Sequence, residues 1–170
     1  MGILEHYTNK LYLPPGQPLG ARMTRYQVNQ NIIVGGSIVD VDDAEHLARD
    51  YGVTHVLSVE SERDDAGKLA PFKSAARFAF PDNGHPPPPE CVLMCIGFLN
   101  TAMLSTPRPI IYVHCQAGGS RSPSIAYALL RAQGHDAAQA LQLIRTARGD
   151  NWGEHPFHLS YRAAVENCFR

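Results

Sequence analysis

The sequence predicts a single α/β domain whose sheet is mostly parallel and is flanked by helices. Short apolar runs alternate with stretches of helical periodicity, which is the pattern of βαβ units. The chain has 170 residues, 44% of them hydrophobic and 18% charged, which is ample material for one core. We therefore expect four to five strands, with residues 1–30 forming an N-terminal extension packed on the main domain, residues 31–170.

Four apolar runs predict the strands of this sheet. Each is short and rich in apolar or β-branched residues, which favour extended backbone. The segment before the first run is rich in Pro, Gly and Tyr and shows the pattern less clearly. The predicted strands are Asn31 to Val34, Thr54 to Val59, Ala76 to Phe80 and Ile110 to His114.

Two helices are predicted between these strands. The first runs from about Asp42 to Tyr51, and Asp42 and Glu45 have the spacing of a capping box. Gly52 is placed to end it. The second begins at Glu90, after four prolines that can precede a first turn but cannot lie inside a helix. Its apolar stripe is expected to consist of Val92, Ile96, Leu99 and Met103.

Three more helices are predicted after the last strand. The third starts near Ser120 and ends at Gly134. The fourth opens with Asp136 and Gln139 spaced as a cap, and it stops at Gly149. A fifth helix is expected to direct four side chains toward the core, namely Phe157, Tyr161, Val165 and Cys168.

Residues 114 to 122 read His-Cys-Gln-Ala-Gly-Gly-Ser-Arg-Ser and join the last predicted strand to the third helix. None of the six residues from Gln116 to Arg121 is a proline, so each can offer a backbone N–H to one bound anion. Gly118 and Gly119 allow the tight curvature that such a loop needs. The helix N-terminus that follows favours a dianion and a thiolate at Cys115. The segment therefore predicts a phosphate-binding loop with a nucleophilic cysteine.

Three neighbours of Cys115 have expected roles in this chemistry. The guanidinium of Arg121 can bind two phosphoryl oxygens in bidentate fashion, which the point charge of a lysine cannot do. The hydroxyl of Ser122 can donate a hydrogen bond to the sulfur of Cys115, which helps when the thiolate is the leaving group. His114 is expected to support the loop by hydrogen bonding to its backbone.

If Cys115 attacks a bound phosphate ester, the reaction also needs an acid, because the alkoxide or phenolate of the ester departs poorly unless it is protonated. The leading candidate is Asp82, which lies 33 residues before Cys115. It stands in a Pro-Asp-Asn-Gly string, which is also a strong β-turn signal, and a loop position is compatible with catalysis. Asp64 and Asp65 are the alternatives, although their charge run is typical of a solvated loop.

The string from His114 to Ser122 resembles the signature of the cysteine-dependent protein tyrosine phosphatases, and of their dual-specificity group in particular. The resemblance extends from about residue 31 to residue 147 and includes the segment Gly52 to Leu57. It implies a protein tyrosine phosphatase-like fold, a catalytic domain over residues 31–170, and hydrolysis of phosphate monoesters through a phosphocysteine. The phosphate-binding residues would be Gln116, Ala117, Gly118, Gly119, Ser120 and Arg121.

Charge limits the choice of substrate. The formal net charge is −1 and no basic run is present, which weakens an RNA 5′-phosphate as substrate and any nucleic acid as partner. The loop contains no lysine, which disfavours a phosphoinositide. Phosphotyrosine and phosphoserine or phosphothreonine in proteins are therefore the leading substrates. A non-catalytic phosphate-binding module is the alternative from another class.

The remaining expectations concern cofactors and environment. We expect no metal and no cofactor, since Arg121 and the loop amides would stabilise the transferred charge. Cys91 and Cys95 are expected to pack in the core rather than to bind a metal. The chain has four cysteines, without the spacing of a dense disulfide framework, and no secretory or transmembrane stretch at the N-terminus. These features predict a cytoplasmic protein without a membrane partner. We also expect a monomer.

Overall fold

The described chain has five strands with two helices between them, and three further helices follow the last strand. A computed structural model describes residues 25–148 and 159–170. Strands β1 to β5 span Arg25–Asn29, Ile32–Gly35, His55–Ser58, Ser74–Arg77 and Ile111–His114. Helices α1 to α5 span Val41–Asp50, Pro89–Ser105, Arg121–Ala132, Ala137–Arg148 and Leu159–Asn167. None of these helices is long and apolar enough to cross a membrane.

The five strands form one sheet in the order β1-β2-β5-β3-β4. β1 is antiparallel to β2, whereas β2, β5, β3 and β4 run parallel. Every residue of β2, β3 and β5 is buried, as expected for parallel strands covered on both faces. The prediction of one α/β domain with a mostly parallel sheet is therefore confirmed.

The carboxyl ends of the three central strands meet at one edge of the sheet. Gly35 at the end of β2 and Ser58 at the end of β3 are both register partners of His114 at the end of β5. Ligands of parallel sheets bind outside such ends. The predicted phosphate-binding loop, which follows β5, is thus flanked by the segments that follow β2 and β3.

The central strands lie within one residue of their predicted bounds, but the edge strands do not. β4 spans Ser74–Arg77 rather than Ala76 to Phe80, and three of its four residues are exposed. Hydrophobicity does not mark such a strand, and the apolar Phe78 and Phe80 that suggested it lie beyond its end. β1 occupies residues 25–29 of the predicted extension. Residues 1–24 lie outside the described residues, so the boundary at residue 30 stays a prediction.

The first helix begins earlier than its predicted cap. Asp40 is the N-cap, and its carboxylate accepts a 2.8 Å hydrogen bond from the backbone N–H of Asp43. The predicted capping box of Asp42 and Glu45 is therefore wrong, because the helix already starts at Val41 and both residues lie inside it. Gly52 does end the helix, with a φ of +68° that favours glycine.

The stripe predicted for α2 is correct for two residues and wrong for one. Val92 and Leu99 are buried and Ile96 is half-buried, but Met103 is 44% exposed. The buried face instead follows spacings of three and four, through Val92, Cys95, Leu99 and Ala102, so Met103 lies about 60° from its centre, at the edge of that face. Cys91 and Cys95 are buried free thiols.

The later helices agree with their predicted signals. Asp136 and Gln139 form both bonds of a reciprocal cap, at 2.8 and 3.0 Å, which confirms that prediction. Gly134 follows α3 with a φ of +95°. In α5, Tyr161 and Val165 are buried, and Cys168 just after it is half-buried. The predicted residues Gly149 and Phe157 lie outside the described residues.

Candidate active site

The loop from Cys115 to Ser120 is tied to the strands and helices around it through its backbone. The backbone N–H of Ser37 donates to the carbonyl of Gln116 at 3.0 Å, and Arg148 Nη1 lies 3.4 Å from the carbonyl of Gly119. The N–H of Cys115 donates to Gly35 at 3.3 Å. Because Ser37 and Arg148 bind the carbonyls of Gln116 and Gly119 from outside the loop, the N–H groups of the loop are favoured to face its interior, where an anion would bind.

One glycine of the loop has no room for a side chain. Gly118 has a φ of +75°, and a Cβ built on it would lie 2.7 Å from the carbonyl carbon of Gly35 and 2.9 Å from the nitrogen of Gly36. Gly119 has open space at the same position and no positive φ. The predicted curvature therefore depends on Gly118, which packs directly on the backbone after β2.

Cys115 and Ser122 lie side by side, as the sequence predicts. The thiol of Cys115 is buried, with the residue only 3% exposed. Its sulfur is 3.3 Å from the hydroxyl oxygen of Ser122, which itself lies 3.1 Å from the carbonyl oxygen of Gly35. Because Ser122 belongs to the first turn of α3, the sulfur stands at the positive end of that helix.

Arg121 is buried, and one of its nitrogens fixes its position. Its Nη1 donates to the Glu62 carboxylate at 2.9 Å and to the carbonyl of Phe80 at 3.1 Å. Its Nε is also buried and has no hydrogen-bond partner among the described residues. An unpaired buried donor is costly, and a phosphoryl oxygen is the kind of acceptor that would satisfy it.

Glu62 contacts Arg121 from the loop after β3, a contact that the charge pattern did not predict. The side chain is 35% exposed. Burial works to raise the pKa of the Glu62 carboxyl, but the hydrogen bond with Arg121, the charge of Arg121 and hydrogen bonds from backbone N–H groups together outweigh it and hold the pKa below its ordinary value. A carboxylate thus lies next to the guanidinium that is predicted to bind phosphate.

Among the three candidate acids, only Asp82 lies beside Arg121. Its Oδ2 is 3.9 Å from the Nε of Arg121, and its side chain is 51% exposed, so a substrate can reach it. Asp65 is buried and bound to His114 at 2.7 Å. Asp64 accepts from the backbone N–H of Ala66. The solvated loop expected for this charge run is therefore wrong for Asp65.

His114 is enclosed by polar side chains that sequence reasoning missed. Its Nε2 is 2.7 Å from Asp65 Oδ2, and its Nδ1 is 3.6 Å from Glu60 Oε2 and 3.4 Å from the carbonyl of Cys115. The ring also stacks on Tyr112. The position of Glu60 and Asp65 in the chain could have indicated this contact, since both follow the end of β3, the strand beside β5.

Comparisons with known proteins place this arrangement in a known fold. No family model and no curated protein matches the chain. A crystal structure of PTPMT1 in complex with PI(5)P has a TM-score of 0.71 and 16% identity, over 85% of this chain and 93% of that one. Human DUSP28 has a TM-score of 0.66 and 19% identity, over 92% of this chain and 96% of that one. A crystal structure of Tk-PTP in its active form has a TM-score of 0.68 and 15% identity, over 84% of this chain and 93% of that one.

The chain has the protein tyrosine phosphatase fold. The fold implied by the resemblance of residues 114 to 122 is thereby confirmed. Identities of this size establish the fold alone, and the roles of Cys115, Arg121, Ser122, His114 and Asp82 stay predictions.

A buried ion pair supports the protein tyrosine phosphatase fold beneath its loop. Both terminal nitrogens of Arg25 donate to the Asp43 carboxylate at 2.6 Å. Arg25 also donates to the hydroxyl of Tyr112, which donates in turn to the carbonyl of Gly36 at 2.5 Å. Burial raises the pKa of Tyr112 above its ordinary value. The pair therefore links β1 and α1 to the turn on which Gly118 rests.

Replacing Asp43 by alanine is expected to lower the free energy of unfolding by about 3–5 kcal/mol, because the buried guanidinium of Arg25 loses the carboxylate that both its terminal nitrogens bind. Burial works to raise the pKa of Asp43, but the hydrogen bonds and charge of Arg25, with smaller contributions from the Val39 N–H and His46, together outweigh it and hold the pKa below its ordinary value. The stabilisation is thus complete above the ordinary aspartate pKa, about 4, and is lost as the pH falls through the lower folded-state value.

Urea unfolding across pH checks this prediction. Asp50→Ala is the matched control, because that carboxylate pairs with Arg49 on the exposed face of α1; its unfolding midpoint should stay close to that of the wild type. Equal midpoints for the two variants at neutral pH would contradict the assigned weight of the Arg25–Asp43 pair.

Proposed function

We propose that the protein hydrolyses phosphate monoesters through a phosphocysteine on Cys115. The observation that carries this proposal is the grouping of four side chains at the carboxyl end of β5. The buried thiol of Cys115 lies 3.3 Å from the hydroxyl of Ser122, and the buried Nε of Arg121, which has no hydrogen-bond partner among the described residues, lies 3.9 Å from the exposed carboxylate of Asp82.

In the first step, the thiolate of Cys115 attacks phosphorus in line and forms the S–P bond as the P–O bond to the leaving group breaks. Asp82, as the acid, gives its proton to the leaving oxygen. Arg121 and the N–H groups of the loop stabilise the charge on the three remaining oxygens. No metal or cofactor is needed for this stabilisation.

In the second step, water attacks the phosphocysteine and releases inorganic phosphate. The carboxylate of Asp82 accepts a proton from that water. The S–P bond breaks, its electron pair returns to sulfur, and the hydroxyl of Ser122 stabilises the departing thiolate by donating to it.

Phosphotyrosine and phosphoserine or phosphothreonine in proteins are the proposed substrates. The loop has no lysine, and the groups exposed beside Arg121 are the carboxylates of Glu62 and Asp82. Two acidic groups at the site disfavour a ring that carries several phosphates. A phosphoinositide is the second candidate, because the PTPMT1 structure, which shares this fold, contains PI(5)P. We propose that the protein acts in the cytoplasm as a monomer.

Hydrolysis of four substrates by the purified protein in the presence of a chelator tests this function. They are p-nitrophenyl phosphate, a phosphotyrosine peptide, the matched phosphothreonine peptide and a short-chain PI(5)P. We expect turnover of the aryl phosphate and of at least one peptide, at a kcat/KM above that for PI(5)P. Preference for PI(5)P would move the assignment to a lipid phosphatase, and phosphate binding without turnover would indicate a binding module.

Replacing Asp82 by asparagine is expected to have an effect that depends on the leaving group. Removing a general acid costs about 10²–10⁴-fold in rate, and the loss should be largest for alkyl phosphates, whose leaving oxygen needs the proton most. Activated aryl phosphates should lose least. The measurement is kcat/KM for a series of phosphate esters with graded leaving groups; equal losses along the series would remove Asp82 from this role.

A further inference from the structure

Beneath the nucleophile lies a cluster of buried polar side chains to which the mechanism above assigns no role. It comprises Ser37, Glu60, Asp65 and His114, each less than a tenth exposed. They come from the segments after β2 and β3 and from the end of β5, so the cluster lies where the three central strands end. We name it the carboxylate cluster.

Glu60 connects both chain neighbours of Cys115. Its Oε2 accepts a 2.5 Å hydrogen bond from the hydroxyl of Ser37 and lies 3.6 Å from Nδ1 of His114. The backbone N–H of Ser37 in turn donates to the carbonyl of Gln116 at 3.0 Å. One carboxylate therefore acts on the residue before the nucleophile directly and on the residue after it through a serine.

The buried carboxylate of Glu60 is not expected to increase the stability of the fold. Taking a carboxylate out of water is costly unless all its lone pairs are satisfied, and Oε1 of Glu60 has no hydrogen-bond partner among the described residues. An apolar side chain of similar volume would avoid this cost. The negative charge also lies beneath a loop that should hold a thiolate and a phosphate, so direct electrostatics do not favour it either.

We infer that Glu60 is a positioning residue, which fixes His114 and Ser37 and thereby the backbone on both sides of Cys115. Its effect comes from the charge-assisted hydrogen bond from Ser37, which is stronger than a neutral one, and from its contact with the imidazole of His114; this effect exceeds the electrostatic penalty of the charge. Asp65 supports the same imidazole from its other nitrogen. The catalytic consequence of this inference rests on the proposed function, but the consequence for the loop does not.

The reactivity of Cys115 distinguishes positioning from a simple charge effect. If Glu60 acted only through its charge, Glu60→Gln would make the thiolate easier to form and alkylation by iodoacetate faster. If Glu60 positions the loop, the same change should slow alkylation of Cys115 and weaken protection by inorganic phosphate. Losses of about tenfold or more are expected, as for other supporting partners of site residues.

The experiment measures alkylation of Cys115 across pH, with peptide mass spectrometry to separate it from the other cysteines, at a temperature well below the unfolding midpoint. Glu45→Gln is the matched control, because Glu45 is exposed on α1, and its rate should equal that of the wild type. Faster or unchanged alkylation in Glu60→Gln, with unchanged phosphate protection, would overturn the inference.

Ser37→Ala keeps the inference testable if Glu60→Gln folds poorly. It removes only the hydroxyl and leaves the backbone bond to Gln116, so a slower alkylation by several-fold is expected. If the cluster acts as one unit, the double variant should lose little more than the worse single variant. Additive losses would overturn the connection through Glu60. Absence of turnover in the wild type, with these alkylation results as expected, would refute the phosphatase proposal and leave the positioning role standing.

Discussion

Replacing Gly118 by alanine is expected to abolish phosphate binding and to lower kcat/KM by about a hundredfold or more, the cost of displacing a site by about 1 Å. The new Cβ would lie 2.7 Å from the carbonyl carbon of Gly35 and 2.9 Å from the nitrogen of Gly36. Both contacts are with backbone, so no side chain can move aside. The carbonyl of Gly35 also accepts from the N–H of Cys115, so any relief of the clash displaces the nucleophile.

The measurement is kcat/KM for p-nitrophenyl phosphate together with the dissociation constant for inorganic phosphate. Gly97→Ala is the control, because Gly97 lies in α2 with open space at its Cβ position and should leave both quantities unchanged. Gly119→Ala, which meets no atom, should cause a much smaller loss than Gly118→Ala. Equal losses at Gly118 and Gly119 would show that the contact with Gly35 does not shape the loop.

Replacing Cys115 by serine is expected to remove turnover while phosphate binding is retained. A serine hydroxyl remains protonated in place of the thiolate, and loss of a nucleophile costs roughly 10⁴-fold or more. Arg121 and the loop N–H groups are unchanged, so inorganic phosphate should still bind with an affinity close to that of the wild type.

Steady-state turnover and isothermal titration with phosphate measure the two effects separately. Cys168→Ser is the matched control, since Cys168 follows α5 and its thiol donates to the helix carbonyl of Ala164; its turnover should equal that of the wild type. Substantial turnover in Cys115→Ser would show that another group attacks phosphorus.

The central sheet and the nucleophile loop are predictable from the sequence because their signals are local. β2 and β5 each carry three consecutive apolar residues and β3 is centred on Val56 and Leu57, a pattern typical of strands buried on both faces. Cys115, Arg121 and Ser122 lie within eight consecutive residues, so their proximity follows from a single turn and the start of one helix.

The remaining parts depend on contacts between segments that are distant in the chain. β4 is an exposed edge strand, and only pairing with β3 defines it. Glu60 and Asp65 look like members of a solvated charge run until the sheet brings them to His114. In the same way, Gly118 and Gly119 are equivalent in the sequence, and only the position of Gly35 distinguishes them.

Trapping of the covalent intermediate tests the central claim most directly. Asp82→Asn should slow hydrolysis of the phosphocysteine, because the base that activates water is missing, while an activated aryl phosphate can still transfer its phosphoryl group. Acid quenching during turnover, followed by peptide mass spectrometry, should then find one phosphoryl group on the peptide that contains Cys115. A phosphoryl group on another residue, or continued turnover with none on the protein, would contradict the mechanism.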